Sequence, residues 1–340
     1  MDQHKPELSV IVPAFQASAT IEPCLRALAY QTLAPERYEI IVVDDGSSDR
    51  TADRAAGAGA QVLRMTRNSG PAAARNAGLV IARGQLIAFT DADCEPTPEF
   101  LAGLASHLAN PSVGGAKGVY LSKQRALVAR FVQHEYEDRY RHTARQRSVD
   151  FADTYACCYR RADILRAGGF DASLPVCEDQ EMSFRLVEAG VHIEFAPDVR
   201  TYHHHCEDIR VYLRKKFRIA RWKVRVLCKH PSKVVHDSHT PRMMKVEMIA
   251  ASLLFLTAVL YGLRRQRETT WLPVAFTSAG YLALVAPFVR NAARDDVPVA
   301  IMAPMLLLSR DLALTTGTIV GLMDMLRILV HRTCTKACAY

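Results

Sequence analysis

Several features are missing from this 340-residue sequence, and each absence narrows its class. There is no cysteine framework: the nine cysteines are an odd number, scattered without a repeated spacing, with only Cys157-Cys158 adjacent. That usage fits a reducing compartment rather than a disulfide-stapled scaffold. Cys334 and Cys338 have no partner ligands near them in sequence, which argues against a zinc site there. A dinucleotide fingerprint is also missing. Gly57-Ala-Gly59 follows a helical stretch rather than a strand, and Val62 stands where the third glycine belongs, so the pair reads as a helix end and turn. The first residues, Met-Asp-Gln-His-Lys-Pro-Glu, pass straight into an apolar strand with no signal-peptide core. The soluble part is therefore expected to face the cytoplasm.

What is present divides into two unlike parts. Residues 1–245 read as a charged, soluble α/β chain, whereas residues 246–330 carry long apolar stretches. The net charge of +8 could suggest nucleic acid, but the cations cluster between Arg210 and Lys245, directly before the first apolar stretch. A juxtamembrane basic segment is the ordinary cytoplasmic signature, so no nucleic-acid partner is expected and membrane lipids are.

In the first part, short apolar runs alternate with helical patterns. Strands are predicted at Leu8–Val12, Glu39–Val43, Gln61–Met65, Leu86–Thr90, Tyr155–Arg160 and Val191–Ala196. Helices are predicted near Thr20–Tyr30, from Pro71 to Ala82, over Arg161–Ala167 and over Gln180–Ala189, the last opened by Cys177-Glu178-Asp179. Residues 122–147 read as a charged, partly helical, solvated face. Continuous apolar strands separated by helices imply a mostly parallel sheet covered on both faces. Ligands of such sheets bind beyond the strands' carboxyl ends, where Pro13, Asp44, Arg67 and Asp91 fall.

Asp91-Ala-Asp93 stands at one of those ends. Alternate residues of a strand share a face, so both carboxylates can reach one divalent cation, and such an ion suits a diphosphate. Alone, this spacing also describes a solvated turn. Glu178-Asp179 opens a helix, where the macrodipole favours carboxylates, so a capping pair is the competing reading. Tyr202-His-His-His205 follows the last predicted strand and could be a surface run. Over Arg214–Lys229, apolar residues recur at helical spacing opposite a stripe of arginines. That helix could rest on anionic headgroups or serve catalysis.

Taken in order, these pieces resemble the family 2 inverting glycosyltransferases of the GT-A fold. They are Ser9-Val-Ile-Val-Pro-Ala-Phe, Ile40-Ile-Val-Val-Asp-Asp-Gly-Ser-Ser-Asp, Arg67-Asn-Ser-Gly-Pro-Ala-Ala-Ala-Arg-Asn-Ala-Gly, Asp91-Ala-Asp, Gly168-Gly-Phe-Asp and Glu178-Asp179. The resemblance covers about residues 8–205. It implies an α/β, GT-A-type fold over residues 1–205, and charge and hydropathy add a basic amphipathic interfacial segment at 206–245, transmembrane or re-entrant helices at 246–330 and a short tail at 331–340. It assigns a nucleotide-sugar donor to Pro13, Ala14, Phe15, Asp44, Asp45, Arg67, Gly70, Arg75 and Asp91. A divalent cation, Mn²⁺ or Mg²⁺, would be held by Asp91, Asp93 and His203. Asp179 would be the general base, with Glu178, Arg221 and Trp222 toward the acceptor. Arg218-Ile-Ala-Arg221-Trp222 resembles the Gln-x-x-Arg-Trp element of processive synthases, with arginine in place of glutamine.

Val246–Leu263, Trp271–Val289 and Val297–Met325 are long enough to span a bilayer. The third contains Pro304 and Arg310-Asp311, and a charge pair at depth must face protein or water, or else mark a break. Three simple spans would put Arg264, Arg265 and Arg267 outside, against the positive-inside tendency; a re-entrant first segment keeps them inside. The expected protein is a membrane-anchored transferase, its catalytic domain on the cytoplasmic face of the inner membrane, acting on a lipid-linked or envelope-glycan acceptor. A polyprenyl-phosphate sugar synthase and a non-catalytic membrane scaffold are the alternatives. Sugar nucleotidyltransfer would need a glycine-rich, arginine-containing loop after the first strand, and Pro-Ala-Phe-Gln is not one.

Overall fold

The computed structural model describes residues 5–146, 148–235, 237–238, 240–263 and 271–337, with side chains described as far as residue 330. The chain forms two compact units. One comprises residues 1–124 and 139–205, the other residues 125–138 and 206–340.

The first unit is built on an eight-stranded sheet. Its strands are β1 (Leu8–Ala14), β2 (Tyr38–Asp44), β3 (Gln61–Arg64), β4 (Leu86–Phe89), β5 (Cys94–Pro96), β6 (Gly115–Leu121), β7 (Cys157–Arg160) and β8 (Ile193–His203). The spatial order is β3-β2-β1-β4-β7-β6-β8-β5. Four neighbouring pairs are parallel and three are antiparallel, so the mostly parallel sheet expected from the sequence is present. Helices α1 (Ile21–Ala29), α2 (Thr51–Gly57), α3 (Pro71–Ile81), α4 (Phe100–His107), α6 (Arg161–Arg166) and α7 (Glu178–Glu188) flank it. Ile11, Ile41, Val43 and Phe89 of the central strands are fully buried in one apolar cluster with Tyr159, Ile164, Met182 and Ile193. Strands buried on both faces explain why β1, β2 and β4 read as continuous apolar runs rather than alternations.

β5 and β6 carry no such run and were not expected. Cys94-Glu95-Pro96 looks like a turn, yet it pairs antiparallel with Thr201-Tyr202-His203 at the sheet edge, where a proline is tolerated. Gly115–Leu121 contains two glycines and Lys117. A Cβ on Gly118 would sit 2.5 Å from the Val199 carbonyl oxygen, so close strand approach rather than apolar pattern selects its residues.

The second unit contains α8 (Ile209–Lys229), α9 (Arg242–Leu263), α10 (Trp271–Asp295), α11 (Val297–Ala337) and residues 127–138 of α5 (Leu127–Thr143). Helices α9 and α10 and the stretch Val297–Val330 are long and apolar enough to cross a membrane. Phe131 and Val132 of α5 are buried in a cluster with Tyr212, Tyr281, Val285 and Leu307. The solvated face expected around residues 122–147 is therefore apolar-packed at its centre. α11 is one continuous helix through Pro304 and Arg310-Asp311 and runs on to Ala337, which takes in most of the expected tail. Arg310 is only 4% exposed and meets Glu135, Glu247 and Asp311 at 2.7–3.1 Å, so the charge pair faces protein and no break is required. Gly317 and Gly321 lie against α8, where a Cβ would come within 2.4 and 2.5 Å of the Phe217 and Arg221 carbonyl oxygens. Arg264, Arg265 and Arg267, together with the side chains of Cys334 and Cys338, lie outside the described residues.

Candidate active site

The carboxyl ends of β1, β2 and β4 open onto a cleft of about 590 Å³ lined by Pro13, Ala14, Phe15, Asp45, Asn68, Gly70, Arg75, Asp91, Asp93 and Glu178, among others. Parallel strands deliver loops to one edge, which is why residues distant in sequence meet here. Phe15 is 48% exposed at this cleft, an apolar face offered to a ligand rather than spent in the core.

Asp45 organises one wall. Its two carboxylate oxygens accept the Ser69 and Gly70 backbone N–H groups, each at 2.8 Å. Gly46 follows with φ +73°, and a Cβ there would lie 2.6 Å from the Arg67 backbone carbon. Only glycine permits the β2 loop and residues 67–70 to touch in this way. Gly70 (φ +91°) then leads into α3, with Pro71 at its first position. Asp44, expected at the nucleotide, is buried, accepts from the Ser47 N–H at 3.3 Å and is not among the cleft-lining residues. The Arg67 residue is exposed and also outside the lining, whereas its neighbour Asn68 belongs to it.

Asp91 and Asp93 both line the cleft, but not by strand alternation. β4 ends at Phe89, and a tight turn closed by Cys94 N–H to the Asp91 carbonyl at 3.0 Å carries the two carboxylates. β5 pairing with β8 then sets Cys94 opposite His203. His203 Nε2 comes to 3.5 Å from Asp93 Oδ2. No local pattern announces this contact between residues 110 apart in sequence.

Arg75, expected at the nucleotide sugar, does line the cleft. It is 4% exposed, with Nη1 donating to Glu178 at 2.6 Å and Nη2 to Asp91 at 3.0 Å. Its guanidinium is already engaged by two carboxylates. Glu178, expected beside the acceptor, is accordingly buried as the other half of this pair.

Asp179 follows in the first turn of α7. The preceding Cys177 adopts a left-handed conformation, φ +66°, unusual for a residue with a side chain and common where a site demands a fixed loop. The approach to α7 is held from α3. Asn76 donates to the Phe170 carbonyl and accepts from its N–H, both at 2.8 Å, and a Cβ on Gly169 would strike Asn76 Oδ1 at 2.6 Å. Ser183 donates to the Asp179 carbonyl at 2.8 Å and accepts from the Ala152 N–H at 3.2 Å. Asn76 sits inside the quoted motif, so its importance was available in the sequence but its role was not. Lys117, missed entirely, reaches Asp153 at 2.9 Å. Burial, reinforced by Glu178 and Asp153, pushes the Asp179 carboxyl up to about 8, while Arg75 pulls the other way.

Asp93 and His203 can seat a divalent cation between them. A 3.5 Å separation between Asp93 Oδ2 and His203 Nε2 suits two ligands each about 2 Å from one ion. Among the described residues no cluster of three or more His, Cys, Asp or Glu side chains forms a closed cage. Asp91 is turned to Arg75, leaving an open two-ligand seat whose remaining positions fall to a substrate or water. Such a partial set fits an ion that shares a diphosphate. Arg221 and Trp222 belong to the second unit. There Arg221 pairs with Asp324 at 2.6 Å, and the Arg225 guanidinium lies 5.9 Å from the Trp222 ring.

Residues 9–166 match the family model described as glycosyl transferase family 2. The chain is 28% identical over 316 residues to the pre-mycofactocin glycosyltransferase of Mycobacterium tuberculosis, an alignment that covers 85% of this chain and 66% of that protein. It is 36% identical over 109 residues to the dodecaprenyl-phosphate galacturonate synthase of Rhizobium johnstonii, covering 30% of this chain and 32% of the relative. The chain thus spans less than two thirds of each of these proteins. Among solved structures it resembles the mannosyltransferase PcManGT from Pyrobaculum calidifontis, determined in complex with GDP-Man and Mn²⁺. The TM-score is 0.62 at 18% identity, over 94% of this chain and 88% of that one, a likeness of fold.

Proposed function

Because this chain belongs to glycosyl transferase family 2, we propose that it is a membrane-anchored, metal-dependent inverting glycosyltransferase. The donor is a nucleoside diphosphate sugar and the acceptor a hydroxyl on a lipid-linked or envelope glycan. The observation that carries this reading is the cleft at the carboxyl edge of the sheet lined by Asp91, Asp93 and Glu178, with His203 3.5 Å from Asp93 and Asp179 next to Glu178 in the first turn of α7. The GDP-Man and Mn²⁺ bound to the solved relative support a nucleotide-sugar and a divalent ion as ligands. Three helices of membrane length and the polyprenyl-phosphate relative support a lipid-borne acceptor at a membrane, and the basic run from Arg210 to Lys245 supports its cytoplasmic face.

Phe15 supplies an apolar contact for base or ribose, and the Asp45-held loop with Asn68 and Gly70 forms the nucleotide wall. Asp93 and His203 would hold the cation. When bound, that ion neutralises charge gathering on the departing diphosphate. Asp179 takes the proton of the acceptor hydroxyl as its oxygen bonds to the anomeric carbon. The bond from that carbon to the diphosphate oxygen breaks on the opposite side, so configuration inverts. A base with an affinity for protons near working pH is well matched to this transfer. Arg75 does no chemistry in this scheme but holds Asp91 and Glu178, and through Glu178 the start of α7.

The test is a donor screen on the purified full chain, scoring nucleoside diphosphate release with Mn²⁺, Mg²⁺ or chelator. Acceptors should include polyprenyl phosphate and a lipid-linked glycan. Metal-dependent release with a glycan acceptor is expected. Release with polyprenyl phosphate alone would instead favour the synthase reading, and no turnover with any donor would favour a scaffold.

A further inference from the structure

We propose that His205 is a positioning residue that fixes which ring nitrogen His203 presents to the divalent cation, an inference that rests on the metal-dependent reading above. The two imidazoles meet Nδ1 to Nδ1 at 3.2 Å. When both rings are neutral, one must donate at that contact and the other accept. The opposite nitrogen of His203, Nε2, faces Asp93. A histidine that binds an ion through Nε2 carries its proton on Nδ1, and in that state the N–H lies 3.2 Å from His205 Nδ1, which is then the acceptor.

His205 is built to stay in place. It is 5% exposed, while His204 between the two rings is exposed. Gln124 grips its backbone from both sides, accepting the His205 N–H at 2.6 Å and donating to its carbonyl at 3.0 Å. The Tyr120 ring lies 4.4 Å from His203 and 5.6 Å from His205, which limits rotation of both. An acceptor behind a metal-bound histidine commonly contributes 10–100-fold to ion affinity, roughly, by setting its tautomer and orientation. His205 would supply that acceptor from an imidazole rather than a carboxylate.

Mn²⁺ binding to the full chain, followed by electron paramagnetic resonance of the free ion with UDP or GDP present, tests this directly. His205→Leu keeps bulk but has no acceptor, and Mn²⁺ affinity should fall about 10–100-fold. His205→Asn offers an amide oxygen near the lost nitrogen and should restore the parental affinity. Parental affinity in His205→Leu overturns the inference, and so does an equal loss in both variants. If His205→Leu does not fold, ¹⁵N shifts of the His203 ring in the Mg²⁺-saturated parent decide. A proton on Nδ1 is expected, and a proton on Nε2 overturns it. Failure of the parent itself to bind Mn²⁺ removes the metal-dependent reading and this inference together, whereas the other outcomes leave that reading standing.

Discussion

One arm of the Arg75 guanidinium holds Glu178 at 2.6 Å and the other holds Asp91 at 3.0 Å, so a single buried cation ties the turn after β4 to the start of α7. Asp91 of the cleft and Glu178, which precedes the proposed base Asp179, are thereby fixed to one group.

Removing that group should be costly. Arg75→Met leaves two carboxylates without their counter-charge, and breaking one side of a buried pair costs about 3–5 kcal/mol. Denaturant unfolding should show a loss of that order in the first unit. Arg75→Lys keeps the charge but offers one ammonium where a fork spans two partners. It should recover part of the stability and little of the turnover.

The protonation of Asp179 gives a prediction with a definite sign. Its carboxyl stands at about 8 in the folded protein, against an ordinary value near 3.8. The folded state thus holds this proton more tightly than the unfolded one. That contribution is fully present below about pH 4 and is lost as pH rises through about 8. Asp179→Asn should therefore melt increasingly above the parent as pH is raised from acid to alkaline. Its turnover should drop roughly 10²–10⁴-fold while nucleotide binding survives. In the parent, the pH profile of kcat/KM should rise toward alkaline pH, with an apparent pKa well above that of an ordinary carboxylate. A flat profile would remove Asp179 from the base role.

Asp93→Ala should abolish metal-dependent nucleotide binding without unfolding the sheet, because Asp93 lies on an open turn rather than in the core. Chelation of the parent should give the same phenotype and be reversed by added Mn²⁺. Retained binding in excess chelator would sink the metal assignment.

In the second unit, Arg310→Leu should destabilise the helical assembly rather than alter nucleotide affinity. Glu135, Glu247 and Asp311 would lose the cation they surround. Detergent-phase thermal unfolding should report the loss, with the double variant Arg310→Leu/Glu135→Leu less impaired than the single one.

Much of the fold was readable because β1, β2 and β4 are apolar runs ended by Pro13, Asp44 and Asp91, and buried parallel strands leave little else to infer. Asp91 and Asp93 follow the end of such a run and both line the cleft, whereas Asp179 was singled out only through the family resemblance. The rest depended on long-range pairing. Cys94–Pro96 is three residues long and earns strand status only from β8, so the contact that brings His203 to Asp93 is invisible locally. The pairing of Arg75 with Glu178 was not readable because the two residues are 103 apart in sequence. The middle of α5 looked solvated because Glu135 and its charged neighbours mask Phe131 and Val132, whose partners lie on other helices.

The unbroken length of α11 has a further consequence. Val299, Ala303, Leu306 and Arg310 are all buried, and Gly317 and Gly321 continue the row. At about 100° per residue, Gly317 and Gly321 return to within roughly 20° of Arg310. The charge cluster and the glycine contact with α8 are therefore read from a single line along one rod and share its angular phase. One residue inserted between Leu312 and Thr316 would turn everything beyond it by about 100°, presenting side chains to α8 where glycine backbone now fits. Such an insertion leaves composition and hydropathy nearly untouched, yet it sets the two ends of the rod out of step. A second insertion of three residues nearby, four in all, should bring them back to within about 40°, because the seam depends on rotation more than on the identity of the residues between.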